Sequence, residues 1–482
     1  MLATDFAETN KVRVTDCFRY QYAISDGPLN LPGFAQKSFA GRAITHCPDL
    51  GVAELMDTQG RPVALCIGTA IDAKGEVVRP GHIMAGVDQP DWHAIERFVS
   101  GLAGRYVVLA RNGIGLRLFG DVTMSMPCVY DPVDGIVASS LLMCLRRPIE
   151  ESDIQDYRRA IAGEERFCFG NTRDRHVRSL PCNHWLELGT WQQGRFWPRA
   201  GDLEELPETE VEDAIEQIGD RLGTTFGALV RHAPSAVPLT GGNDSRVLVA
   251  CGKPHLQHVK EFYTHVQNRV GRMDSESAEY VAKTLGLTHN KHMKSDLAPL
   301  RPRAIRRRES WAHAATGYTV PAIGELTSGL LSLPPEGAQI LRGNVIELMR
   351  ASNWKRGDRS SKHDPVFGLR RCLFVGGTNF TDTFVDRWLD SYVCWRDGLP
   401  EDAQSNPFDL SFVEHHLPNF GRLCLSFTDN FYLSPFNDRL LVGLAARLPI
   451  SFRHANTANR RLIRLKAPEI ADVPYARELM AK

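Results

Sequence analysis

The apolar positions change their period near residue 209. Val211, Ile215, Ile218, Leu222, Phe226 and Leu229 recur at steps of three and four, which predicts a long amphipathic helix. Thr209 and Glu212 have the spacing of a capping box and place its start. Upstream, from about Gly104 to Ser140, the pattern is that of strands. Asn112-Gly113 separates Tyr106–Arg111 from Ile114–Phe119, and Asp134-Gly135 separates Cys128–Asp131 from Ile136–Ser139. Both dipeptides favour the positive φ of tight hairpin turns, so an antiparallel sheet is expected in the first two hundred residues. Downstream, short apolar strands such as Glu261–Val266 alternate with helical patterns, the signature of a parallel sheet.

The polar, acidic stretch from Arg199 to Glu208, with Pro207 inside it, marks a boundary between the two patterns. The expected architecture is α/β: an N-terminal α+β domain with an antiparallel sheet over 1–200 and a C-terminal α/β domain with a parallel sheet over 208–482. A chain of 482 residues suits two domains, because single cores seldom grow beyond about 250–300 residues. Asn353–Arg371, polar and basic around Gly357 and Pro365, reads as a long surface loop.

Charge and cysteine usage narrow the picture further. Lys plus Arg and Asp plus Glu number 57 each, so no global field favours a polyanion, and no nucleic-acid partner is expected. The eleven cysteines form no C-x-x-C pair, which suits reduced, buried thiols. No leader-like segment and no apolar run of membrane length is visible, so the expectation is a cytoplasmic protein without a membrane partner. Homo-oligomerisation is left open. His415-His416, His289-x-x-His292 and Trp311-x-His313 lack acidic or thiolate neighbours at ligand spacing and read as structural or exposed.

The most informative chemistry lies at Ser235–Cys251, a short apolar run, a glycine turn and a helix start. Gly241 and Gly242 let backbone approach a phosphate, Thr240 and Ser245 add hydroxyls, and the helix beyond offers free N–H groups. Asp244 would repel phosphate unless a divalent cation lay between them, so the pattern implies Mg²⁺. An ordinary strand-to-helix turn capped by Asp244 or Ser245 would use the same residue types. The lysine of a Walker loop is absent.

Leu-Thr-Gly-Gly-Asn-Asp-Ser-Arg at 239–246 resembles the S-G-G-x-D-S loop of the ATP pyrophosphatase superfamily, and the order of further segments resembles the asparagine synthetase family. Phe262-Tyr263-Thr264, then Asp274 and a helix over Ser275–Leu285 ending at Gly286 before His289, is similar to the family's second strand and helix. Ile340-Leu341-Arg342-Gly343-Asn344-Val345-Ile346-Glu347 falls where the family has a strand and a G-x-G-x-D-E loop. Ser434-Pro435-Phe436-Asn437-Asp438-Arg439-Leu440 is similar to a V-P-F-L-D-x-R-L segment, chiefly architectural, and Arg461–Pro474 to the closing one. Gly104-Arg105-Tyr106, Gly120-Asp121, Ala138-Ser139-Ser140 and Phe196-Trp197-Pro198 resemble the family's glutamine-hydrolysing domain. Leu2 stands where that domain needs its cysteine, Asn344 stands where a glutamate is usual, and the usual distal lysine has only Lys466 and Lys482 as candidates.

The resemblance implies ATP held by Leu239, Thr240, Gly241, Gly242, Asn243, Asp244, Ser245 and Arg246, with Gly343 beside them and the strand end at Tyr263 and Thr264 near adenine. It implies Mg²⁺ on Asp244 and Glu347, and Asp244, Ser245, Glu347 and Lys466 as catalytic candidates. The reaction implied is activation of a small-molecule or peptide carboxylate as an acyl-adenylate, followed by amide formation with a nucleophile not drawn from glutamine. A non-catalytic relative and an RNA-modifying relative, the latter suggested by Arg306-Arg307-Arg308, are the alternatives.

Overall fold

In the computed structural model, residues 1–154, 156, 158–159, 166–317, 328–355, 358–373, 379–427 and 429–480 are described. The first half carries two sheets. One has six antiparallel strands, in which Tyr22–Ser25 lies between Ile136–Ala138 and Arg42–His46. The other has seven, centred on Pro62–Ile71, Ala103–Arg111 and Leu116–Gly120, with one parallel pair at its edge. The two expected hairpins form, the second with the expected four-residue connection and the first with four residues instead of two. Arg111 pairs with Leu116 and Asp131 with Ile136, so Asn112–Gly115 and residues 132–135 make the turns. Ile114, assigned to a strand by its hydrophobicity, sits fully in solvent at one tip.

The second half is built on five parallel strands, in the order His289–Met293, Glu261–Val266, Ser235–Pro238, Gln339–Leu341, Phe431–Leu433. The chain starts at the central strand, moves outward to one edge and then returns to fill the other. The point where the order reverses lies at the carboxyl end of Ser235–Pro238, the place where open α/β sheets bind ligands. Helix Val211–His232 packs against helices Asn243–Cys251, Arg439–Arg447 and Thr457–Lys466 and buries all six residues of the predicted stripe. Its start differs from the capping-box expectation. A 3₁₀ turn, Glu208–Glu210, precedes it, Glu210 takes the cap position, and no side chain caps the end. The segment expected as a surface loop contains helices Asp358–Ser361 and Pro365–Leu373, the latter burying Leu369, Cys372 and Leu373.

The halves share their packing. One contiguous apolar cluster runs from Leu65 and Val107 in the seven-stranded sheet to Leu222, Leu248 and Leu462 around the parallel sheet. The segment read as architectural supplies polar mortar. Asn437 donates to Asp121, Asp438 pairs with Arg221 at 2.6 Å, and buried Arg439 donates to Gly120 O and Asn183. Ten cysteines are buried and Cys394 is exposed, all as free thiols. No helix among the described residues is long and apolar enough to cross a membrane. In the Arg306–Arg308 run, Arg306 faces solvent, Arg307 pairs with Asp16 at 2.6 Å, and Arg308 is buried and donates to Ser332.

Candidate functional site

The glycine turn sits where the sheet order reverses. Leu239 follows the central strand and donates its N–H to Tyr263 O at 2.8 Å, while Thr264 Oγ1 donates to Leu239 O and lies 2.8 Å from His289 Nε2. Tyr263 is buried, stacked on His292, and both side chains brace the strand end. Helix Asn243–Cys251 then begins with Gly242 as its N-cap, and no side chain caps it. The N–H groups of its first turn are therefore available, with the positive end of the helix dipole behind them.

The rest of the turn is largely self-satisfied. Ser245 Oγ accepts from Thr240 N at 3.1 Å and lies 3.0 Å from Thr240 Oγ1, which in turn accepts from Gly242 N at 3.3 Å. Burial pushes the Asp274 carboxyl up, and the nearby Gly241 backbone N–H draws it back down. A polyanion would thus meet the first turn of the helix rather than the whole loop. Gly241 is needed for a close approach of protein to protein: a Cβ there would stand 2.5 Å from Ala476 Cβ and 2.9 Å from Ser277 Cβ. Gly343 has the same character, because a Cβ would lie 2.8 Å from Asp244 C. That contact brings the second loop against the helix start.

On this second loop, Ile346–Arg350 is a 3₁₀ turn flanked by Val345 at φ 74° and Ala351 at φ 46°. A β-branched residue in the left-handed region costs of order 1–3 kcal/mol and marks a place where surrounding structure dictates the backbone. One 3₁₀ turn spans three residues, so Glu347 and Arg350 emerge on one side. Arg350 donates to both oxygens of Asp244, at 3.0 and 3.2 Å. Burial first, and then the charge of Asp244, push the Glu347 carboxyl up to about 7. Its Oε2 is buried without a hydrogen-bond partner. Two carboxylates, one short of partners, share a wall with an uncapped helix start, and the sharing fits a small hard cation. No group of three or more metal-ligating side chains occurs among the described residues, so such an ion would complete its shell with ligand oxygens and water.

Other expected residues lie elsewhere. Arg246 is fully buried and holds the C-terminal segment: it donates to Val473 O at 2.6 Å and Pro474 O at 3.2 Å, with its guanidinium 3.8 Å from the Tyr475 ring centroid. Ala476 N closes the clasp on Gly241 O. Lys466 is not brought to the turn. Its helix, Thr457–Lys466, runs beside Asn243–Cys251, with Asn456 touching Asn243 at one end and the lysine charge felt by Cys251 at the other. Eight residues at 1.5 Å each put it about 12 Å away, where it pairs with Asp220. Lys482 lies outside the described residues.

One member of the neighbourhood, Arg350, was not foreseen, and His292 corrects the reading that it lacks an acidic neighbour. Arg350 follows Glu347 by three residues, and that spacing is its only signal. His292 lies 3.0 Å from Glu261, an acidic neighbour supplied by the adjacent strand and so invisible in linear spacing. No family model matches the chain, and no curated protein matches its sequence.

Proposed function

We propose that the chain binds ATP with Mg²⁺ at residues 239–246 and activates a carboxylate as an acyl-adenylate, as the resemblance to asparagine synthetases implies, for capture by a nucleophile not drawn from glutamine. The observation that carries this reading is the meeting of Asp244 with the under-satisfied Glu347 at an uncapped helix N-terminus. Phosphate suits the free N–H groups, and the two acids suit a cation that phosphate would share. Bound there by Asp244 and Glu347, Mg²⁺ would neutralise charge on the departing pyrophosphate.

The protein groups act by position and field. Main-chain N–H groups of Asn243, Asp244 and Ser245 donate to phosphate oxygens, and Gly242 keeps their approach open. Thr240 and Ser245 hold the turn in shape through their mutual hydrogen bond. Arg350, on leaving Asp244, remains on the same wall to face phosphate. Arg246 fixes the C-terminal clasp behind the loop, and Lys466 has no part in the reaction.

A second reading draws on the Asp244–Arg350 pair itself, in which a guanidinium occupies both oxygens a metal would use. It makes the chain a non-catalytic relative that binds nucleotide without metal. Calorimetric titration of ATP with and without Mg²⁺, on wild type and Asp244→Ala, separates the two, and ATP–pyrophosphate exchange with a carboxylate panel follows. Binding that needs Mg²⁺ and is lost in Asp244→Ala supports the enzyme. Binding indifferent to Mg²⁺ supports the relative, and no binding removes both.

A further inference from the structure

A cavity of about 500 Å³, a size common among small-molecule sites, lies on the seam between the two halves and shares no residue with the glycine turn. The segment 167–184 and Arg195 of the first half face helix Asp382–Asp397 and the turn Phe412–His416 of the second across it. Its walls are chiefly apolar, with Phe167, Phe169, Leu180, Trp395 and Pro418 among them. Phe169 stands at φ 50°, a left-handed backbone that a bulky residue adopts only where its surroundings impose it. His415, on the opposite wall, belongs to the π-helical turn, a distortion frequent at functional sites.

Several polar groups on these walls are spent on one another. Arg195 pairs with Glu414, Trp395 donates its indole N–H to Glu414 at 2.8 Å, Arg422 donates to Ser179 at 3.1 Å, and His184 Nδ1 lies 2.8 Å from Cys182 O. His415 is not spent. Its ring is wedged between Phe169 and Trp395, 4.8 Å from each ring centroid, and neither of its nitrogens has a hydrogen-bond partner among the described residues. Nε2 is shut away, which leaves Nδ1 as the nitrogen on the accessible side of a half-buried ring. Burial pushes the imidazole down to about 4, so at pH 7 it is neutral, with one N–H and one lone pair. Arg195 and Arg422 are balanced by Asp390 and Glu414 around the cavity, so no net field selects an ion. The occupant that fits is uncharged, with flat apolar surface for the aromatic walls and one polar group for His415. A hydroxyl meets either tautomer of the ring, because it both donates and accepts.

We infer that this cavity is a binding site for a small, uncharged, hydroxylated aromatic molecule, with His415 Nδ1 hydrogen-bonded to the hydroxyl and Phe169 and Trp395 against the ring. The site stands apart from the nucleotide reading, and nothing in it depends on ATP.

The test is equilibrium dialysis of the full chain, without nucleotide, against 2-naphthol, naphthalene and 2-naphthoate at pH 7. The naphthol is expected to bind, naphthalene roughly fivefold more weakly for want of one hydrogen bond, and the naphthoate anion more weakly than the naphthol. His415→Phe keeps the ring and removes its nitrogens, so it is expected to weaken 2-naphthol roughly fivefold and leave naphthalene unchanged. Cys394 is exposed and lines the same cavity, so Cys394→Trp fills the space without altering a buried residue and is expected to abolish binding of both. In wild type, 2-naphthol at saturation should also slow alkylation of Cys394 by iodoacetamide at least fivefold, read by peptide mass spectrometry. If His415→Phe fails to fold, this protection and Cys394→Trp carry the test. No binding of 2-naphthol, binding undiminished in Cys394→Trp, or no protection of Cys394 overturns the site. Equal affinity of wild type for naphthalene or for naphthoate, or an equal loss of 2-naphthol and naphthalene in His415→Phe, overturns the ligand class.

Discussion

Two carboxylates in this molecule, Glu414 buried and Glu347 half-buried, have opposite fates. Glu414, in the π-helical turn Phe412–His416, accepts from Arg195 at 2.6 and 3.0 Å, Asn183 at 3.0 Å and Trp395 Nε1 at 2.8 Å. Burial pushes its carboxyl up, but Arg195 outweighs burial and holds it at about 2. Glu347 is also shielded from water, yet one of its oxygens lacks a partner and its carboxyl stands at about 7. The contrast is between a charge whose every lone pair is answered by protein and one left partly unanswered. The first is a fastening between the two halves; the second keeps room for a ligand that is not protein.

The fastening gives the largest expected effect. Arg195→Met leaves Glu414 charged, buried and half-satisfied, and urea denaturation at pH 7 should show a loss of about 3–5 kcal/mol. The pH dependence follows from the lowered carboxyl. Its contribution is complete above the unfolded value, near 4.3, and is lost as pH falls through about 2. The gap between wild type and variant should therefore close between those two values. A gap independent of pH would place the stability in the arginine's packing instead.

At the other carboxylate cluster the order reverses, with large effects on binding and small ones on stability. Asp244→Ala is expected to lower Mg²⁺-dependent ATP affinity about 100-fold, roughly 2.7 kcal/mol. Denaturation should move by less than about 1 kcal/mol, because Asp244 and Arg350 are a partly exposed pair. Glu347→Gln sharpens the comparison further. A folded carboxyl raised to about 7 leaves stability intact below the unfolded value near 4.3 and removes it as pH rises to 7. The metal-free variant should match wild type at pH 4 and exceed it by about 2 kcal/mol at pH 8, after allowance for partial exposure. Equal stabilities at both pH values would mean that the carboxyl has found a partner after all.

The glycine turn, the long helix and the parallel sheet are legible in sequence because each rests on local signals: a strand-length apolar run, a 3.6-residue stripe, small residues where backbone must approach. What escaped is non-local. The Asp274 carboxyl comes near the Gly241 N–H from another helix, the C-terminal clasp closes on the same residue, and Arg350 neutralises Asp244 from a second loop. Gly241 and Gly343 carry the glycine signature of a ligand site for a different reason, the crowding of protein against protein. The basic segment after Asn353 hides a helix because Arg370 and Arg371 interrupt the run formed by Leu369, Cys372 and Leu373, and charge dominates the pattern.

Lys466 provides the smallest and most discriminating effect. By sequence order it is a candidate for the reaction; by position it lies beside Cys251, at the far end of the helix that starts at the turn. Its side chain is 20% exposed and its partner Asp220 67%, so the pair is a surface ion pair worth about 0–1 kcal/mol. Lys466→Ala should leave Mg²⁺-dependent ATP binding unchanged and shift the denaturation midpoint only slightly. Both quantities come from the titration and urea curves used for Asp244→Ala. A loss of ATP affinity comparable to that of Asp244→Ala, without loss of stability, would mean that the chain rearranges by about the length of that helix before nucleotide binds. The uncapped turn beside Glu347 would then be only part of the site.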